Sequence, residues 1–89
     1  MKKEEQYLIK KGINVATKGF DYLATAIMLL KEDREYKLNI TKKLYPKIAE
    51  LFNDTPNKVE RAMRHSIQKA NIKKSVSEFV AFAELELRK

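Results

Sequence analysis

The chain has no cysteine, two glycines, two prolines and a single histidine in 89 residues. Without cysteine it can form neither a disulfide framework nor a thiolate metal site. The lone histidine, His65, has no second imidazole to join it, so no metal site is expected. No stretch approaches the ~20 apolar residues of a membrane span, which argues against a membrane partner. The opening MKKEEQYLIKK is charged, with no apolar run behind it, and does not read as a signal peptide. The expected location is the cytoplasm. Enzyme signals are missing too: there is no glycine-rich phosphate loop, no nucleophile paired with a base, and no carboxylate cluster at ligand spacing. No catalytic residue and no cofactor are expected.

The scarcity of glycine and proline beside abundant Lys, Glu, Leu and Ala favours helix throughout. β-branched residues are scattered rather than alternating, and neither an internal repeat nor a linker is visible. Residues 1–89 are long enough for one domain with one modest core. Nineteen Lys and Arg against 12 Asp and Glu give a net charge of +7. So strong an excess on so small a domain points to a polyanionic partner, the bland alternative being a generically basic surface.

The most informative stretch runs from Ile40 to Ala70, ITKKLYPKIAELFNDTPNKVERAMRHSIQKA. Val59, Ala62, Met63, Ile67 and Ala70 fall at i, i+3, i+4, i+8 and i+11, one face of a helix turning about 100° per residue. Asn57, Lys58, Arg61, Arg64, His65 and Gln68 fall on the opposite face. That face is long-armed, hydrogen-bonding and mostly cationic, which suits a groove lined by phosphates. Thr55 can cap this helix and Pro56 fits its first position, where a missing N–H costs nothing. Asn53, Asp54 and Thr55 supply turn chemistry before it. Upstream, Ile40, Leu44, Ile48, Leu51 and Phe52 keep helical spacing through Pro46. Either the helix proper begins near Tyr45 or an earlier turn is kinked there, and the continued spacing favours a short first turn followed by a bend. Helix, tight turn and helix together make a helix-turn-helix.

The rest of the chain supplies a frame. Residues 3 to 11 predict a short helix with Tyr7 and Leu8 inward, stopped by Gly12. Ile13 and Val15 are expected to tuck under the domain. A stronger helix runs from about 18 to 31, with Phe20, Leu23, Ala24, Ile27 and Leu30 on one face and Ala26 and Leu29 widening it. So wide a stripe predicts the central packing helix. KEDREYK reads as a solvated charged segment. After the basic connector NIKK, Ser75 and Glu78 form a capping box. The last helix, about 76 to 88, is expected to send Phe79, Phe82, Ala83 and Leu87 into the core. The fold class is therefore all-α, about five helices around one core containing a helix-turn-helix.

Among the polar residues, Lys58 and Arg61 can donate to guanine O6 and N7 from the first turns of a recognition helix. Glu60 can accept from a cytosine amino group, or it can orient Arg61 or Arg64. Asn57 completes this base-reading set. Arg64, His65, Gln68 and Lys69 follow as phosphate contacts, with Lys42 and Lys43 on the preceding helix. Lys47, Lys18, Lys73 and Lys74 are further positions of the same kind. Against this stands a plain solvated face with Glu60–Arg64 pairing at i, i+4. Tyr22, Tyr36 and Tyr45 read as packing at the core edge and Met63 as a core residue.

The runs ITK-x-LYP-x-IA-x-x-FN and VERA-x-RH-x-I, with KGFDYLATAI upstream (residues 18–27) and SEFVAF downstream (residues 77–82), resemble one family. It is the C-terminal effector domain of the master response regulator that initiates sporulation, the stage zero sporulation protein A family. The likeness extends from about residue 8 to the end. It implies a bacterial transcription regulator that binds short boxes of double-stranded DNA, with residues 56–69 as the major-groove helix. It also implies contacts to bases from positions near the start of that helix and to phosphates from the basic residues further along. A homodimer or tandem dimer on DNA, and RNA polymerase, are the partners it suggests. Lys58 stands where the family usually has arginine, and lysine lacks that side chain's rigid fork. NIKKSV replaces a longer connection of the family, one that takes part in head-to-tail packing. Residues 1–17 offer no phosphorylatable receiver domain; for a chain of this extent alone, a constitutive binder, or control through abundance or a partner, is expected. The rival reading is a protein-interaction module, such as a decoy pairing with a full-length regulator. RNA binding would call for an exposed aromatic platform that is not evident.

Overall fold

The computed structural model describes residues 1–88. Six α-helices follow in order: α1 (Lys3–Lys10), α2 (Lys18–Glu32), α3 (Glu35–Leu38), α4 (Tyr45–Phe52), α5 (Pro56–Lys69) and α6 (Val76–Leu87). No strand occurs among the described residues, and the fold is all-α.

The central helix is α2, whose contacts reach every other helix of the domain. Its Phe20, Leu23, Ala26, Ile27, Leu29 and Leu30 are buried, as the wide stripe predicts. Leu8 of α1, Leu44, Ile48, Val59, Met63, Ile67 and Val80 close the core around it. Each such aliphatic side chain contributes roughly 1.5–3 kcal/mol of transfer free energy when fully removed from water. The sixth helix is α3, a single turn within the expected charged segment. Asp33 starts it by accepting the Glu35 amide on its side chain at 2.9 Å.

The stops after α1, α4 and α5 share one chemistry. At the end of α1 the Gly12 amide bonds the Ile9 carbonyl and the Ile13 amide bonds the Leu8 carbonyl, both at 3.0 Å. That is a Schellman motif, and Gly12 takes the φ of +88° it needs. Asn53 does the same after α4 and Asn71 after α5, with φ of 54° and 60°. Asparagine tolerates this conformation better than most side chains.

Pro46 lies in the first turn of α4. Before it, Ile40–Leu44 winds as a wider π turn, in which Leu44 bonds back five residues to the Asn39 carbonyl at 3.2 Å. The bend expected at the proline is thus met by a change of helix pitch. Proline in the first turn deprives the helix of no bond it would otherwise make.

Several inward assignments are corrected. Val15 is 57% exposed, Leu51 53%, Phe52 41% and Phe82 44%. Val15, in a connector, and Phe82, on the last helix, are expected inward from sequence, while Leu51 and Phe52 share the helical spacing of Ile40, Leu44 and Ile48; all four reach solvent. Phe82 instead lies under the Lys74 ammonium, 4.3 Å from its ring centroid. Phe52 packs edge-on against Tyr22 at 5.0 Å. Conversely, Glu4 and Glu84 are buried. Lys31 reaches Glu4 at 3.3 Å, and Arg88 grips both carboxylate oxygens of Glu84 at 2.7 and 2.9 Å.

Candidate nucleic-acid interface

Helix α5 is fixed at its start, along its length and at its end. Thr55 caps it by accepting the Lys58 amide on its hydroxyl at 3.3 Å, and Pro56 takes the first position. No acidic residue lies in the first turn of the helix itself. Val59, Met63 and Ile67 anchor the inner face, and Ser66 joins them, buried against the start of α2. Its Oγ lies 3.2 Å from the Thr17 Oγ1. The two helices meet at Gly19, where a Cβ would come within 2.4 Å of the Ala62 carbonyl oxygen.

With that face pinned, the opposite one is open. Asn57, Lys58, Arg61, Arg64, His65, Gln68 and Lys69 are all exposed. Lys58, Arg61 and His65 line one cleft of about 290 Å³ with Thr17, Lys18 and Gly19 from α2. Lys18 is therefore brought beside the first turns of α5. Gln68 lies further along, in a separate hollow with Asn71, Lys73 and Lys74. The chain thus sets a nearly continuous cationic edge from the α2 start to the connector after α5.

Glu60 stands apart from that cleft. It is half-buried, pairs with Arg64 at 3.5 Å, and its charge helps to raise the Tyr45 hydroxyl after the larger effect of burial. The i, i+4 pairing weighed from sequence is thus present. Lys42 and Lys43 are exposed on the π turn before α4. Lys43 is bonded to Glu35, which raises its pKa, whereas Lys42 has no ion-pair partner among the described residues. Lys47 pairs with Glu50 at 3.3 Å.

The turn into α5 is tied to the central helix. Tyr22 donates its hydroxyl to the Asp54 Oδ2 at 2.5 Å, and the Thr55 amide donates to the Asp54 Oδ1 at 2.8 Å. These bonds, Tyr22 first, hold the Asp54 carboxyl below its ordinary range. Burial, reinforced by Asp54, pushes the Tyr22 phenol up to about 12. Sequence reading placed Tyr22 at the core edge and Asp54 in the turn but could not join them. Gly19 and Thr17 were likewise passed over, although a glycine in a first helical turn behind a threonine cap is a legible sign of close approach.

A short helix, a turn closed by left-handed asparagine and a second helix with a solvent-facing basic side define a helix-turn-helix domain. Comparison with protein families shows which kind. The family model described as sporulation initiation factor Spo0A C terminal matches residues 5–89, and the chain belongs to that family. The family is a DNA-binding domain of transcription regulation in sporulation rather than a class of enzyme.

Proposed function

We propose that this domain binds double-stranded DNA sequence-specifically, with α5 lying in the major groove. The observation that carries the reading is the division of α5 itself. Val59, Met63, Ser66 and Ile67 are buried while Lys58, Arg61, Arg64, His65 and Gln68 face outward. Lys58 and Arg61, with Asn57 and Glu60, read base edges from the first two turns, where a recognition helix comes closest to the groove floor. Arg64, His65, Gln68 and Lys69 follow the backbone, and Lys42 and Lys43 hold phosphates from the preceding segment. Lys18 adds a phosphate contact from the α2 start, because it shares the cleft with Lys58 and Arg61.

Residues 1–89 act as one DNA-binding unit in the cytoplasm. Occupation of adjacent boxes by two copies, and contact with RNA polymerase, are parts of the same proposal. Among the described residues no helix is long and apolar enough to cross a membrane. Selection of bound duplexes from a random pool, followed by sequencing, is the direct test. A recurrent short box is the expected result. Recovery of unrelated sequences with equal affinity would reject sequence-specific reading and favour the interaction-module alternative.

A further inference from the structure

We infer that Tyr22 and Asp54 are positioning residues for base reading, setting the angle at which α5 meets the groove. The inference rests on the DNA reading above and assigns to the pair a role in specificity without contact to DNA.

Beyond the apolar packing of Val59, Met63 and Ile67, helix α5 is tied to α2 at two separated points. One is the Thr17, Gly19 and Ser66 contact near its middle. The other is the bond from Tyr22 to Asp54 just before its cap. Residues 55 and 66 are 11 apart, about 16 Å along a helix axis at 1.5 Å per residue. Apolar packing along the rod leaves small changes of tilt open, and two polar contacts about 16 Å apart resist them. The mid-helix contact is a close backbone approach that fixes depth. The Tyr22–Asp54 bond is directional and fixes tilt.

The path from that bond to the reading residues is short. Asp54 spends its second oxygen on the Thr55 amide at 2.8 Å, and the Thr55 hydroxyl takes the Lys58 amide at 3.3 Å. Tyr22 therefore reaches the backbone of a base-reading position through two intervening residues. Phosphate contacts tolerate small changes of tilt because long cationic arms and a diffuse field accommodate them. Bidentate base contacts do not, since their geometry is set by the groove edge.

The test compares the wild-type chain with Tyr22→Phe, Asp54→Ala and the double variant, on the duplex recovered by selection and on a scrambled duplex. Tyr22→Phe keeps the ring on Phe52 and removes only the hydroxyl. Each single variant is expected to lose about three- to tenfold affinity for the selected duplex, in line with one lost hydrogen bond. For Tyr22→Phe, affinity for the scrambled duplex and the salt dependence should stay as in wild type. Asp54→Ala and the double variant also remove a negative charge near Lys18 and Lys58, so the ratio of selected to scrambled affinity is their readout. The double variant should be no worse than the worse single one, because the same bond is removed once. Full discrimination in both single variants, or an equal loss on both duplexes, would overturn the inference while leaving the DNA reading intact. A wild-type chain that selects no duplex would overturn the DNA reading and this inference with it.

Discussion

Gly19 lies so close to Ser66 that a Cβ built on the glycine would stand 2.0 Å from the Ser66 Oγ and 2.4 Å from the Ala62 carbonyl oxygen. The hydroxyl could rotate away, but the carbonyl is helix backbone and cannot. Gly19→Ala should therefore destabilise the fold. Relieving the overlap costs about 1–3 kcal/mol. The better helix propensity of alanine returns at most about 1 kcal/mol. A lowered midpoint in urea denaturation is expected. A raised midpoint would show that the two helices separate freely at this crossing.

Arg61 is exposed, lines the cleft with Lys58 and Lys18, and has no ion-pair partner among the described residues. Its fork is free to meet a guanine edge. Arg61→Ala is expected to weaken binding to the preferred duplex by about 1–3 kcal/mol and to relax preference at one position of the box. A mobility-shift titration on the selected box and its single-base variants measures both effects. Unchanged binding would remove Arg61 from the base-reading set.

Lys42 and Lys43 are neighbours with unequal freedom. Lys43 already holds Glu35, while Lys42 is unpaired among the described residues. A phosphate contact by Lys43 must displace or share that carboxylate. Neutralising Lys42 with glutamine should reduce the salt slope of DNA binding by about 0.9. Neutralising Lys43 should reduce it by less, since a lysine already held by Glu35 is only partly available to a phosphate. Equal slopes for the two variants would mean that the Glu35 pairing vanishes on DNA.

Much of this interface was legible before any coordinates. The Thr55 cap, Pro56 at the first position and the Val59–Met63–Ile67 stripe are local patterns, and local hydrogen bonding and helical periodicity determine them. The Ser75–Glu78 capping box is of the same kind. What escaped was non-local. Tyr22 meets Asp54 across 32 residues, Tyr7 meets Glu86 across 79, and Lys31 meets Glu4 across 27. Periodicity gives the direction a side chain points, not what waits there. The same limit misplaces Phe82, whose face of the helix ends at solvent. It also hid Ser66, a polar residue buried because Thr17 answers it.

Stability should fall at both ends of the pH scale, for reasons that can be separated. The Arg88 guanidinium on Glu84, the Tyr22 hydroxyl on Asp54, and the Ser75 amide and hydroxyl on Glu78 hold three carboxyls below their ordinary values. A depressed folded value contributes stability that is present above the unfolded value, near pH 4, and is lost as pH falls through the folded one. The tyrosines work in the opposite sense. Burial first, then the bond to Asp54, raises Tyr22 to about 12, and burial with the 2.6 Å bond to Glu86 raises Tyr7. Their contribution is complete below about pH 10 and is lost as pH rises towards about 12 for Tyr22. Urea midpoints followed by circular dichroism should therefore hold steady through neutrality and drop on both sides. Glu84→Gln should flatten the acid limb and leave the alkaline one, because its amide no longer titrates although it can still accept from Arg88. Tyr22→Phe should shallow the alkaline limb. It should also shallow the acid limb in part, because Asp54 loses the hydroxyl that depressed it. An acid limb unaltered by both substitutions would place the titrating groups elsewhere in the chain.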